Sequence, residues 1–133
     1  MRTIKFRAWD TYNKEMLEVQ ELDYADSYNG QPMVRTTMYN DYFDIEEMIL
    51  MQFTGLHDKN GKEIYEGDIV KVGDVNTAIV DWNKEYASFV LKPIQDYYFD
   101  SDILGHAVYE NEDIVIGNIY DNPELLERSS NGD

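Results

Sequence analysis

Cysteine is absent from this sequence and histidine occurs only twice. The first absence excludes disulfides and thiolate metal sites, and it is compatible with a reducing cytoplasm. The second leaves His57 and His106 as the entire supply of imidazole, the side chain that most often titrates near neutral pH. Long apolar runs are missing as well. No stretch approaches the roughly 20 residues that span a bilayer, and the opening MRTIKFRAWD lacks the apolar core of a secretory signal. A soluble, cytoplasmic protein is the expectation. Positive charge is scarce: 11 Lys and Arg stand against 27 Asp and Glu, a formal net charge of −16. Such a surface repels phosphate backbones and anionic lipid. Nonspecific nucleic-acid binding works by Lys and Arg displacing counterions, so it is disfavoured here. Residues 1–50 carry five basic and ten acidic side chains, and residues 51–133 carry six and seventeen.

What is present is enough to build a core. The 133 residues are 43% hydrophobic, a length and composition that fit one compact domain or two small subdomains. About two-thirds of the unfolded chain's surface is buried at that size. The segment TIKFRAW (3–9) alternates, with Ile4, Phe6 and Ala8 on one side and Lys5 and Arg7 on the other. That period of two marks a half-buried strand. Turn residues from Asp10 to Lys14 and a second apolar run at Met16, Leu17 and Val19 complete a β-hairpin. Residues 20–43 are polar and Tyr-rich, and they read as an irregular excursion with one short strand at MVRTTMY.

Asp44 and Glu47 have the spacing of a capping box, which predicts a helical turn leading into a strand at 48–54. In HDKNG, Asp58 suits the first position of a type I turn and Gly61 the left-handed residue that closes it. YEGD (65–68) is a second corner. DIVKV, NTAIVDWN, YASFVL and EDIVIGNIY are short alternating strands, with Gly117 marking a bulge or a close approach. Asn122, Pro123 and Glu124 then form a helix start. Short strands with sharp Gly-Asp corners predict a small barrel similar to SH3-like barrels over residues 51–120. The fold class expected is α+β, mainly β: an N-terminal hairpin with an irregular Tyr-rich segment and short helices over 1–50, and an SH3-like barrel with a C-terminal helix over 51–133.

Three blocks carry a family resemblance: KFRAWD at 5–10, MQFTGLHDKNGKEIYEGDIV at 51–70, and IVIGNIYDNPELL at 114–126. They resemble the YopX family of phage and prophage proteins. The resemblance implies an SH3-like barrel preceded by a smaller α+β portion, in a protein of a bacterial host cell. It implies no activity, substrate or cofactor, so no functional residue carries over.

The residues nominate no catalytic constellation and no cofactor. His57 sits beside Asp58 in a tight turn, where an exposed turn residue is the simpler reading. DKNGKE (58–63) has its glycine at the fourth position, whereas a calcium loop needs it at the sixth. The aromatic content of 14%, with 11 tyrosines, admits base stacking or protein contact. Lys5, Arg7 and Lys14 in the hairpin, with Tyr39 and Tyr42, are the candidate contact residues for nucleic acid or a partner. The leading expectation is a non-enzymatic accessory protein acting through protein contacts, with another protein or a second copy as partner. An acidic decoy that occupies a nucleic-acid-binding protein, and a single-strand binder using the N-terminal hairpin, are the alternatives.

Overall fold

A computed structural model describes residues 3–28, 30–72, 76–94, 102–103 and 113–127, with backbone alone at 26–28 and 102–103. The chain divides into two compact units, Thr3–Gln52 and Phe53–Asp133. His106 lies outside the described residues.

In the first unit, β1 (Phe6–Asp10) lies between β2 (Glu15–Tyr28) and the first half of β5 (Met48–His57). Its neighbours Ala8 and Trp9, which point to opposite faces, are both buried. The strand is therefore covered on both sides, which the alternation of TIKFRAW did not foretell. Beyond β2 come β3 (Gln31–Thr36) and β4 (Tyr42–Phe43), all antiparallel. The polar excursion expected over 20–43 is thus mostly sheet. Tyr28 pairs with Gln31 in the β2–β3 ladder. The unit's core is Ala8, Leu17, Val34 and Met48, with Val19, Leu22 and Phe43 packed on it.

In the second unit, the latter half of β5 pairs with β6 (Glu63–Tyr65) through Phe53–Tyr65 and His57–Glu63. The remaining strands are β7 (Asp68–Val72), β8 (Asn76–Asn83), β9 (Ser88–Pro93), β10 (Asp102–Ile103) and β11 (Ile114–Asn118). They form one antiparallel sheet in the order β10-β9-β8-β7-β11. Val70, Ala78, Val80, Leu91 and Val115 project from it and, with Ile64, make the core of this unit. Burying each such side chain is worth about 1.5–3 kcal/mol.

One expectation is corrected here. The fold class is not α+β with short helices: the regular structure of the described residues is almost all strand, in antiparallel sheets, and their helical content is a single 3-10 turn, Pro123–Leu126. The Asp44 capping box does form, with Asp44 Oδ1 accepting from the Glu47 amide at 3.1 Å and Glu47 Oε1 accepting from Asp44 N at 3.5 Å. The helix stops after that one turn because Met48 is already paired with Asp10 in the β1–β5 ladder. Asn122 makes no side-chain cap, its oxygen accepting instead from Asn118 N at 3.1 Å. Four residues without a cap are far below the dozen or so at which a helix sustains itself. The described strands of 51–120 form a linear five-stranded sheet, and β6 pairs with β5 instead of joining it.

Candidate functional site

A concavity lies in the first unit, where the turn after β1 meets the turn before β5. Asp10 ends β1, and its carboxylate folds back over residues 11–14. Oδ1 accepts from Tyr12 N at 2.9 Å and Asn13 N at 3.0 Å, and Oδ2 from Asn13 Nδ2 at 3.0 Å. The Lys14 amide closes the loop onto Asp10 O at 2.8 Å, with Lys14 in the left-handed region at φ 58°. Thr11 ties this turn to the next one, since both its amide and its hydroxyl donate to Glu47 O at 3.1 Å.

Between the two turns is a cavity of about 210 Å³. Tyr12, Tyr39 and Phe43 contribute aromatic walls, Met48 the floor, and Asp10 and Glu47 carboxylates. Tyr39 and Phe43 pack edge to face, with centroids 6.1 Å apart at 72°. The Tyr39 hydroxyl donates to Glu15 Oε1 at 2.9 Å and accepts from Asn13 Nδ2 at 2.8 Å.

The electrostatics follow from these bonds. Burial works to raise the Asp10 pKa, but the three donors from Asn13 and Tyr12 outweigh it and hold the carboxyl below its ordinary value. Tyr39 is pushed above the usual phenol value, first by its bond to the Glu15 carboxylate and then by desolvation. The Asp10 carboxyl is therefore favoured in its ionised form and the Tyr39 phenol in its neutral form. That is a set of acceptors and π faces, suited to receiving positive charge.

The sequence-nominated residues are dispersed. Tyr39 lines the cavity. Tyr42 is in β4, paired with Arg35; its hydroxyl donates to Glu21 Oε2 at 2.5 Å, and the Arg35 guanidinium lies 5.8 Å from its ring centre. Arg35 also forms an ion pair with Glu21. Lys5 precedes β1 and Lys14 ends the turn after it, so the strand's length of about 17 Å separates them. Arg7 stands opposite Glu18 in the β1–β2 register. The cations do not converge on one patch. His57 is exposed, its ring edge-on to Phe53 at 5.7 Å.

Asp10, Asn13 and Glu47 were not nominated because Glu47 reaches the turn after β1 only through the β1–β5 ladder, while Tyr39 and Phe43 arrive from the β3–β4 side of the sheet. Asp10 followed three residues later by Asn13 in a turn was the one readable signal. A second unforeseen residue is Asp113 in the second unit. It is 1% exposed, neither carboxylate oxygen has a hydrogen-bond partner, and desolvation pushes its pKa up to about 6. Among the described residues no three His, Asp or Glu come together as metal ligands. No described helix is long and apolar enough to cross a membrane.

Comparison with known proteins gives a consistent result. A family model described as YopX protein matches residues 5–127. The crystal structure of protein EF1440 from Enterococcus faecalis is similar at a TM-score of 0.62 and 32% identity, over 96% of this chain and 100% of that one. No curated protein matches.

Proposed function

The chain belongs to the YopX family, and from that premise we propose that it is a non-enzymatic binding module of phage or prophage origin, acting through protein contacts in the cytoplasm of a bacterial host. The observation that carries this reading is where large apolar side chains stand in solvent. In the first unit Ile4, Tyr12, Tyr24, Met38 and Tyr42 are all at least 41% exposed. Covering such surface on association returns about 25 cal/mol for each Å² removed from water. Tyrosine is suited to that role because it is amphipathic and loses little rotamer freedom.

Affinity capture from host lysate, with native mass measurement over a range of concentrations, tests the proposal. A specific partner or a concentration-dependent dimer is expected. Recovery of neither, with a monomer mass at every concentration, would overturn it. The acidic decoy is the second reading, favoured by the net charge of −16 and by the pairing of Arg35 with Glu21. A decoy competes with duplex DNA for a basic protein by electrostatic complementarity. Failure to displace DNA at low salt would end that alternative.

A further inference from the structure

We propose that the cavity between turns 11–14 and 44–47 receives one cationic side chain, a lysine ammonium or arginine guanidinium presented by the protein partner. This rests on the reading of the chain as a protein-binding module.

Size is the first argument. At about 210 Å³ the cavity is smaller than the roughly 300–1,000 Å³ of small-molecule sites. It has room for a single long side chain.

Chemistry is the second. The lining joins three aromatic rings to two carboxylates and contains no lysine, arginine or histidine. A cation over a ring face is drawn by the ring quadrupole, and more strongly once water is excluded. An ammonium or guanidinium also brings an aliphatic stem to lie against Phe43 and Met48. A neutral apolar group would use the rings and leave the carboxylates without a counter-charge. An anion would meet Asp10, Glu47 and the nearby Glu15. A bare metal ion would gain nothing from the rings, and the described residues hold no third ligand for it.

Preorganisation is the third. Asp10 is 3% exposed and is fixed by three donors from Tyr12 and Asn13. Its Oδ2 accepts one bond, from Asn13, and an ionised carboxylate oxygen has capacity for about two. The Tyr39 ring is held at its hydroxyl by Asn13 and Glu15, and at its edge by Phe43. Little ordering remains for the ligand to impose, so more of the contact energy appears as affinity. Tyr12, 89% exposed at the rim, is the wall still open to solvent.

The test is an amide-resolved NMR titration of the whole chain with Nα-acetyl-lysine methylamide, its arginine counterpart, and the uncharged norleucine analogue. Saturable shifts at residues 11–14, 39, 43 and 47 are expected with the two cationic probes and not with norleucine. Tyr12→Ala and Glu47→Gln should each weaken binding by about three- to tenfold, the range of one cation–π or charge contact. Unchanged amide positions in the first unit away from the cavity, at Leu17, Val34 and Thr36, would show that both variants remain folded. No saturable shift, or an equal response to norleucine, overturns the proposal. Capture experiments separate it from the reading it rests on. A partner retained by Tyr12→Ala/Glu47→Gln as well as by the parent chain leaves the binding module standing and overturns the cation pocket. Probe binding with no protein captured and no self-association overturns the module, and with it the protein source of the cation.

Discussion

Three aspartates, Asp10, Asp58 and Asp113, are all buried, yet their surroundings push them in opposite directions. Asp58 Oδ1 accepts from Asn60 N at 2.8 Å and Lys62 N at 2.9 Å, and Oδ2 from Val115 N at 2.9 Å. Burial raises its pKa, but those amides lower it further than burial raises it. Its contribution to stability is therefore present above about pH 4 and is lost as pH falls through the folded value. Asp58→Ala leaves three amides without acceptors and should destabilise by at least about 2 kcal/mol in urea melts at pH 7. The gap to the parent chain should narrow under acid. Asp113 has the opposite sign. With a folded pKa of about 6 against 3.8, its ionisation opposes folding. The penalty is absent below about pH 4, grows toward pH 6 and is full above it. Asp113→Asn should raise stability at pH 7.5 by up to about 3 kcal/mol, at 1.36 kcal/mol per pKa unit, and by nothing at pH 3.5. Thermal melts at the two pH values measure this. A variant less stable at pH 7.5 would mean that the carboxylate is compensated. Asp58's role was readable in HDKNG, because turn chemistry is local. Asp113 was not, because burial belongs to whatever packs over a side chain.

Among the elements, the corners of the second unit were the most legible. Gly61 has φ 84° and its amide donates to Asp58 O at 3.0 Å, as its place in HDKNG required. Gly67 and Asp68 form the second corner, with Asp68 Oδ2 accepting from Tyr65 N at 2.7 Å. Gly117 shows both features anticipated for it. The β7–β11 register slips between Val115 and Gly117, and a Cβ at 117 would lie 2.4 Å from Asn122 Oδ1. Gly117→Ala should therefore destabilise by about 1–3 kcal/mol, as overpacking does. Combining it with Asn122→Ala should cost less than the two single changes added together, because the clash is shared. Strict additivity in denaturant melts would refute that account. The first unit was harder to read. Residues 20–43 lack apolar density, which predicts irregular structure. The chain still forms strands there because pairing of β3 with both β2 and β4 holds a polar ribbon, and the Glu21–Arg35–Tyr42 cluster ties three strands together.

For the whole molecule, the dominant quantity is charge. At −16 the folded chain repels itself, and raising salt from about 20 mM to 150 mM shortens the screening length to about 8 Å. The melting temperature should rise across that range; a fall would show that ion pairs such as Glu21–Arg35 outweigh the net repulsion. The exposed aromatics of the first unit and the acidic pocket belong to this scale too, since each is a property of surface that folding assembles. The strand positions of the second unit, its Gly-Asp corners, the absence of cysteine chemistry and the acidic balance were set by the sequence alone, because each depends on neighbours within a few residues or on composition. Tertiary structure decided which strands pair, that the second-unit strands lie in a linear order, that two helix starts end after one turn, and that Asp10, Tyr39, Phe43 and Glu47 share a cavity. Those outcomes depend on contacts between separate elements, Asp10 with Met48 among them, where ladder pairing and burial outweigh local preference.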